Sequence, residues 1–318
     1  MRPRCRFQRV VGPLLAVVLA CSRTPPPSSS PSTASTAALP SAGAAQASIV
    51  DKEGDLLEAG LVELPPTATI DRKCASYSEI EWVVSKSNGG VRVTRGRGPA
   101  LDAQDPLPFA ITGTPLGTGS SPLRVTRILD GWLVSESLGE FGGSFYWFSP
   151  NGDRSEKLAV LDWPPDRRHD DEPVENVRGF AWHGPDLWVI TGLNHLGGHW
   201  GGVLRLVQNN DRWALAPFAK LDGYPTAWVD DGDTLFVLTS SSLSEVTSEG
   251  AVHVLAPLDT EGLAPTTMVQ SADRAIYVGM QFFVLKLQPS DAGWVETWFV
   301  PKGCERTRVV GSDCECLP

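Results

Sequence analysis

Short runs of β-branched and aromatic residues recur along the chain, separated by Gly, Asp, Asn and Pro. Runs of four to six such residues, bounded by turn-forming residues, predict antiparallel strands joined by hairpins. Between residues 178 and 258 this pattern gives two consecutive copies of a four-strand unit. Their strands are predicted at 178–182, 187–191, 203–207, 213–216, 226–229, 235–238, 243–246 and 252–255. A period of about four dozen residues that carries four strands is typical of a propeller blade.

The same unit extends in both directions. The second-strand aromatics Trp132, Trp188, Phe236 and Tyr277 are 56, 48 and 41 residues apart, so the repeat is divergent. Further strands are predicted at 123–129, 132–134, 145–148, 157–160, 266–269, 275–278, 283–287 and 294–300. We therefore expect an all-β fold, a β-propeller of about five four-stranded blades, with six as the alternative.

The first blade begins with a hairpin. Residues 81–85 and 91–94 flank Asn88-Gly89, a dipeptide typical of two-residue hairpin turns. The pattern leaves open whether Trp82 lies on the second or the third strand of its blade. In the latter case residues 56–64 would supply an earlier strand of that blade.

The N-terminal segment has the features of a secretory signal. Four arginines within residues 1–9 precede an apolar run over residues 10–20, which is too short to span a bilayer. The run ends in Val18-Leu19-Ala20-Cys21, which resembles a bacterial lipobox. The resemblance implies that Cys21 is the diacylated first residue of a mature lipoprotein; the alternative is an ordinary signal peptide with an incidental cysteine. Ser22, in place of the Asp of many inner-membrane lipoproteins, favours the outer membrane, facing the periplasm or the cell surface.

Composition divides the chain into three parts. Residues 22–48 hold five Pro, eight Ser, seven Ala and one charge, so they cannot bury enough apolar surface to fold. We therefore expect a lipoprotein signal peptide at 1–20, a disordered tether at 21–48 and the propeller domain at 49–318. Loss of the four signal arginines changes the formal net charge from −10 to −14. This acidity argues against nucleic acid as a partner and leaves the N-terminal lipid as the only expected membrane contact.

The mature chain keeps four cysteines besides the lipidated Cys21. In an oxidising compartment these predict two disulfides. Cys314 and Cys316 are too close in sequence to pair with each other without strain. The alternatives are Cys74 with Cys314 and Cys304 with Cys316, or the swapped pairing, and either would tie the start of the repeat region to its end.

Blade geometry sorts the connections into two faces. Turns that join first to second and third to fourth strands are short. Connections between second and third strands, and between blades, are longer and richer in polar residues, namely 136–144, 163–176, 192–202 and 257–265. Binding sites usually lie on such loops, held by a rigid scaffold.

The sharpest candidate site is Asn194-His195, followed by His199-Trp200, among glycines that oppose a helix. With His169, Asp170 and Asp171 from the preceding inter-blade loop, these residues are expected on one face, within reach of a shared ligand or partner. A divalent cation is conceivable there, but no specific motif supports one, so the cofactor stays unknown. Solvated polar loop residues are the alternative interpretation. Trp163 and Trp200 have the ring size to stack on a sugar.

Catalytic signatures are missing from the sequence. It contains no Gly-x-Ser-x-Gly elbow, no His-Glu-x-x-His and no phosphate-binding glycine loop with Lys, so no catalytic residue is assigned. We predict a lipid-anchored binding or assembly module with a protein or glycan partner at the cell envelope. In plan it is similar to the propeller lipoproteins that support outer-membrane assembly, a similarity of architecture only. The alternative is a metal-assisted propeller hydrolase or lyase with its site on the long-loop face.

Overall fold

A computed structural model of the chain describes residues 56, 59–65, 78–87, 90–96, 106–117, 122–161, 176–195, 198–260, 262–310 and 313–316. All of these belong to one compact unit, Ala47–Pro318. Outside the described residues lie the predicted signal peptide and tether with Cys21 and, within the domain, Cys74, Trp163, His169, Asp170 and Asp171.

Short strands make up most of the described residues. In chain order they are β1 (Leu61–Glu63), β2 (Trp82–Ser87), β3 (Gly90–Arg95), β4 (Arg124–Ile128), β5 (Gly131–Ser137), β6 (Gly143–Phe148), β7 (Ser155–Lys157), β8 (Val177–His183), β9 (Asp186–His195), β10 (Gly198–Asn209), β11 (Arg212–Leu221), β12 (Pro225–Asp230), β13 (Thr234–Thr239), β14 (Ser242–Thr247), β15 (Val252–Pro257), β16 (Pro265–Gln270), β17 (Ile276–Met280), β18 (Val284–Ser290), β19 (Gly293–Pro301), β20 (Thr307–Val310) and β21 (Asp313–Cys316). A 3-10 turn, Gly139–Phe141, lies between β5 and β6.

Strands β4 to β19 form four antiparallel sheets of four sequential strands each, β4–β7, β8–β11, β12–β15 and β16–β19. The all-β fold and the four-strand unit are therefore confirmed, and each strand predicted between residues 123 and 300 overlaps an observed one. Neighbouring first strands contact one another from β4 through β8 and β12 to β16. The number of blades, five or six, stays a prediction, because the other described strands are the hairpins β2–β3 and β20–β21 and strand β1, which adds a fifth strand to the sheet β16–β19.

Burial on both faces explains the continuous apolar runs of the second strands. Along β13, Leu235 and Val237 belong to one core cluster. Phe236 and Leu238 belong to another. Side chains alternate across a strand, so each face of this sheet packs on different neighbours. A strand covered on both faces is apolar throughout rather than alternating.

Residues 56–64 do not supply a strand to the blade of Trp82. Strand β1 pairs with β19, with Leu61 opposite Pro301 and Glu63 opposite Phe299, and so becomes the fifth strand of the last sheet. The alternative that takes an earlier strand from residues 56–64 is therefore wrong: the completely buried Leu61 packs in a core cluster with both Trp82 and Phe299, but the backbone of its strand pairs with β19. Backbone pairing therefore joins the early part of the domain to its late part.

The glycine-rich stretch 192–202 is not a loop as predicted, because β9 continues to His195 and β10 starts at Gly198. The glycines mark close packing instead. A side chain at Gly192 would overlap Pro225, and one at Gly201 would overlap the carbonyl oxygen of Gly223. Glycine thus lets the connection between β11 and β12 lie directly against the hairpin.

A disulfide joins Cys304 to Cys316, twelve residues apart, which confirms one of the two predicted pairings for these residues and excludes the swapped one. It attaches the β20–β21 hairpin to the chain that follows β19. The pairing of Cys74 with Cys314 stays a prediction, since Cys74 and the side chain of Cys314 lie outside the described residues.

Candidate functional site

The sheets have two ends with different connections. At the entry end, strands β4, β8, β12 and β16 begin, and at the opposite turn end the first strands pass into the second. The connections at the entry end are not uniformly long. Two residues, 240–241, join β13 to β14, and three residues, 222–224, join β11 to β12. The predicted contrast in loop length is therefore wrong around the third sheet. The groups there that could bind a ligand lie at or next to the starts of the strands.

At the entry end an arginine of one sheet contacts a tyrosine beside the next sheet, and the charge of a second arginine also acts on that tyrosine. Arg124 is the first residue of β4, Arg178 the second residue of β8, and Tyr224 immediately precedes β12. The guanidinium carbon of Arg178 lies 4.7 Å from the centroid of the Tyr224 ring. Burial raises the pKa of the Tyr224 phenol above its ordinary value, and the charges of Arg178 and then Arg124 oppose this rise. Arg178 therefore packs on the Tyr224 ring, and the charge of Arg124 has a smaller effect on the same phenol.

A β-bulge presents Arg178. The register between β8 and β9 shifts from Val177 to Gly179, so Arg178 is the extra residue of the first strand. The first strands β12 and β16 carry the same shift, and their extra residues are Thr226 and Thr266. Bulges of this kind re-aim a side chain. In the sequence, Arg178 occupies the strand position where two other repeats carry threonine. This difference can be recognised only after the repeats are aligned by the bulge.

The two threonines show what the bulge position does for the fold. The Thr226 hydroxyl donates to the carbonyl oxygen of Leu238 at 3.1 Å. That of Thr266 donates to the carbonyl oxygen of Gly279 at 3.3 Å. In both sheets the hydroxyl thus caps a carbonyl of the second strand. Arg178 occupies the same position but has no hydroxyl to cap this carbonyl. Its long cationic side chain instead reaches towards the neighbouring sheet.

Hydrogen bonds hold the connection that bears Tyr224. The Thr239 and Ser241 hydroxyls both donate to the carbonyl oxygen of Asp222, at 2.7 and 2.9 Å. The backbone N–H of Ser240 donates to the carbonyl oxygen of Tyr224 at 2.9 Å. Because both sides of this three-residue connection are fixed to the end of β13, the position of the Tyr224 ring is preorganised.

The predicted residues of the glycine-rich stretch occupy the tip of the β9–β10 hairpin at the entry end. His199 pairs with Asn194, and Trp200 pairs with Leu193. Alternation along the strands places Asn194 and His199 on one side of the hairpin and His195 and Trp200 on the other. Gly192 and Gly201, which pack on the connection to β12, lie on the side of Asn194 and His199. The structure therefore brings Asn194 and His199, rather than both histidines, to the side of Tyr224.

No group of three or more His, Cys, Asp or Glu side chains suited to holding a metal ion occurs within the described residues, a range that does not include His169, Asp170 and Asp171. In the same part of the chain, no helix has the length and apolar character needed to cross a bilayer.

Four-stranded antiparallel sheets arranged in sequence order, each first strand beside the next, are the architecture of a β-propeller. Virginiamycin B lyase from Staphylococcus aureus is similar over 81% of this chain and 88% of its own, with 14% identity and a TM-score of 0.37. The extracellular domain of the one-component system BT4673 from B. thetaiotaomicron is similar over 74% of this chain and 28% of its own, with 13% identity and a TM-score of 0.36. The computationally designed protein Ika4 is similar over 62% and 99%, with 10% identity and a TM-score of 0.31.

These similarities are too distant to say what the chain binds. No protein-family model matches the sequence, and no curated protein matches it.

Proposed function

We propose that the protein is a lipid-anchored, extracytoplasmic β-propeller that acts as a binding module, with its ligand or partner at the entry end of the sheets. The observation that supports this most is the contact of Arg178, from one sheet, with the half-buried ring of Tyr224 beside the next sheet, where the charge of Arg124 also acts on the phenol.

The chemistry of these groups favours a carboxylate or phosphate on the partner. Guanidinium groups donate paired, charge-assisted hydrogen bonds to such planar or multi-oxygen anions. The Tyr224 phenol, whose ordinary pKa of 10.0 burial raises further, is protonated at neutral pH and so keeps its O–H as a donor. An acidic peptide segment or an acidic glycan at the cell envelope carries the matching groups.

The β9–β10 hairpin extends this surface. Asn194 and His199 are exposed and lie on the hairpin side that packs on the Tyr224 connection. We retain His169, Asp170 and Asp171 in the proposed face, together with His195 and Trp200 on the far side of the hairpin. The anchoring part of the proposal rests on the lipobox ending at Cys21 and on the tether that follows it.

Calorimetric titration of the lipidated full chain with hexaglutamate, and with hexaserine as the neutral counterpart, tests the proposal. We expect hexaglutamate to bind and its affinity to fall as salt is raised. Arg178→Ala should weaken it by about 10-fold or more, the loss expected for a charge-assisted hydrogen bond of ~1.5–3 kcal/mol. Arg212→Ala removes an arginine at the turn end and is the matched control, which should bind as wild type does. Equal binding of hexaserine, or equal losses in both variants, would contradict the proposal.

A further inference from the structure

A cleft at the turn end lies between the outer strands of the sheets β4–β7 and β8–β11. Its volume is about 190 Å³. The walls come from both sheets: the β4–β5 turn, β6, the start of β7 and the β10–β11 turn. The polar and aromatic side chains that line the cleft include those of Asp130, Trp147, Arg154, Glu156, Asp211 and Trp213.

The cleft is held rigidly. The Trp213 indole N–H donates to both carboxylate oxygens of Asp130, at 2.9 and 3.0 Å, and thereby links the two sheets across the cleft. Behind it, the chain after β7 runs parallel to β11. The backbone N–H of Leu161 donates to the carbonyl oxygen of Leu215 at 2.7 Å, and the N–H of Leu215 donates to that of Ala159 at 2.9 Å. A site whose walls are fixed in this way loses little freedom when a ligand enters.

The lining combines two indole rings with charges of both signs. Asp130, Glu156 and Asp211 supply carboxylates, while Arg154, whose guanidinium carbon lies 5.7 Å from the Trp147 ring centroid, supplies a cation. Arg212 binds Glu156 at 3.0 Å at the rim. Three carboxylates stand against the two guanidinium groups of Arg154 and Arg212, so the lining gives an anionic ligand no net attraction. Hydroxyl groups, which both donate and accept, satisfy carboxylates and guanidinium groups alike.

We propose that this cleft binds one neutral sugar ring, as a free monosaccharide or as the end of a glycan. A pyranose joins a belt of hydroxyls to an apolar ring face, and the cleft joins carboxylates and guanidinium groups to indole surface. The cleft is smaller than the ~300–1,000 Å³ of sites for drug-sized ligands, which suits a single ring. This site is separate from the entry end and does not depend on the proposed function.

Saturation-transfer NMR of the full chain with glucose, galactose, mannose and N-acetylglucosamine tests the proposal, with glucuronate as the charged counterpart. At least one neutral sugar should receive saturation, and more of it than glucuronate does. Trp213→Ala should reduce the affinity at least tenfold. Arg178→Ala, at the entry end, should leave the affinity for the sugar unchanged. Sugar binding at the cleft and hexaglutamate binding at the entry end can therefore fail independently.

Asp211→Asn is a second test variant, included in case Trp213→Ala fails to fold. Asp211 has a φ of 64°, a conformation that Asn tolerates well, so this exchange alters a carboxylate and preserves the turn. We expect it also to weaken sugar binding. The proposal is overturned if none of the four sugars binds the wild-type chain, or if binding survives both Trp213→Ala and Asp211→Asn.

Discussion

His183 Nδ1 lies 2.7 Å from Asp230 Oδ2, a contact that joins the end of β8 to the end of β12 and so connects two neighbouring sheets at the turn end. Both side chains are largely buried, 11% and 14% exposed. The His183 ring also stacks on Trp188, with centroids 4.3 Å apart. Asp230 further accepts the backbone N–H of Gly232 at 2.8 Å. His183 therefore hydrogen-bonds a carboxylate, packs on an indole and helps to hold the turn that follows β12.

Removal of this histidine should destabilise the domain. We expect His183→Ala to lower the free energy of unfolding by about 2 kcal/mol, because it removes a hydrogen bond to a carboxylate and leaves that carboxylate buried. Asp233→Asn is the control, since the described side-chain hydrogen bonds of its turn come from Asp230 and Asp231. It should change stability by less than about 0.5 kcal/mol. Urea unfolding measures both, and equal stabilities for the two variants would show that the inter-sheet contact contributes nothing.

The disulfide between Cys304 and Cys316 should stabilise the C-terminal part of the domain. A cross-link that closes a loop of this length restricts the unfolded chain by about 3 kcal/mol in the chain-entropy account. The double exchange of both cysteines to serine should therefore lower the melting temperature. Peptide mapping without reductant should recover the Cys304–Cys316 pair together with Cys74–Cys314. Free thiols at Cys74 and Cys314 would leave the second predicted bond without support.

Membrane attachment should depend on Cys21. If Cys21 is the lipid acceptor that we propose, Cys21→Ser should leave the membrane fraction and appear as soluble protein in cell fractionation. The Cys21 variant and the wild-type chain should behave alike in thermal unfolding, because the proposed lipid and the predicted tether are not part of the folded domain. A Cys21→Ser protein that stays with the membranes after a salt wash would show that the lipobox interpretation is wrong.

Tyr224 should make stability depend on alkaline pH. Its phenol, with an ordinary pKa of 10.0, has that pKa raised by burial against the opposing charges of Arg178 and Arg124. The unfolded chain therefore ionises first as pH rises, so the contribution is complete below about pH 10 and decreases as pH approaches the folded pKa. Tyr224→Phe should lose less stability above pH 10 than the wild type does. Parallel alkaline unfolding curves for the two proteins would contradict this.

The strands could be predicted from the sequence because burial on both faces leaves continuous apolar runs, as in β13, between Gly and Asp turns. Gly192 and Gly201 were misinterpreted because glycine marks close packing as well as loops, and only the contact with Pro225 and Gly223 distinguishes the two. The pairing of β1 with β19 depends on residues far apart in sequence, which local patterns do not encode.

The candidate site was predicted less well than the fold. The sequence drew attention to His195 and His199 because histidine is chemically versatile, yet strand alternation places them on opposite sides of their hairpin. Arg178 was overlooked because an arginine in a strand is unremarkable by composition. Its significance depends on the bulge, which aligns it with Thr226 and Thr266.

Arg178→Thr tests the central claim most directly, because it gives β8 the residue that β12 and β16 carry at the same bulge. The variant should fold with a stability within about 0.5 kcal/mol of wild type, since threonine at this position caps a carbonyl in both other sheets. Its affinity for hexaglutamate, measured by calorimetry at low salt, should fall by about 10-fold or more. Wild-type affinity for hexaglutamate in a fully folded Arg178→Thr protein would show that Arg178 does not serve binding at the entry end.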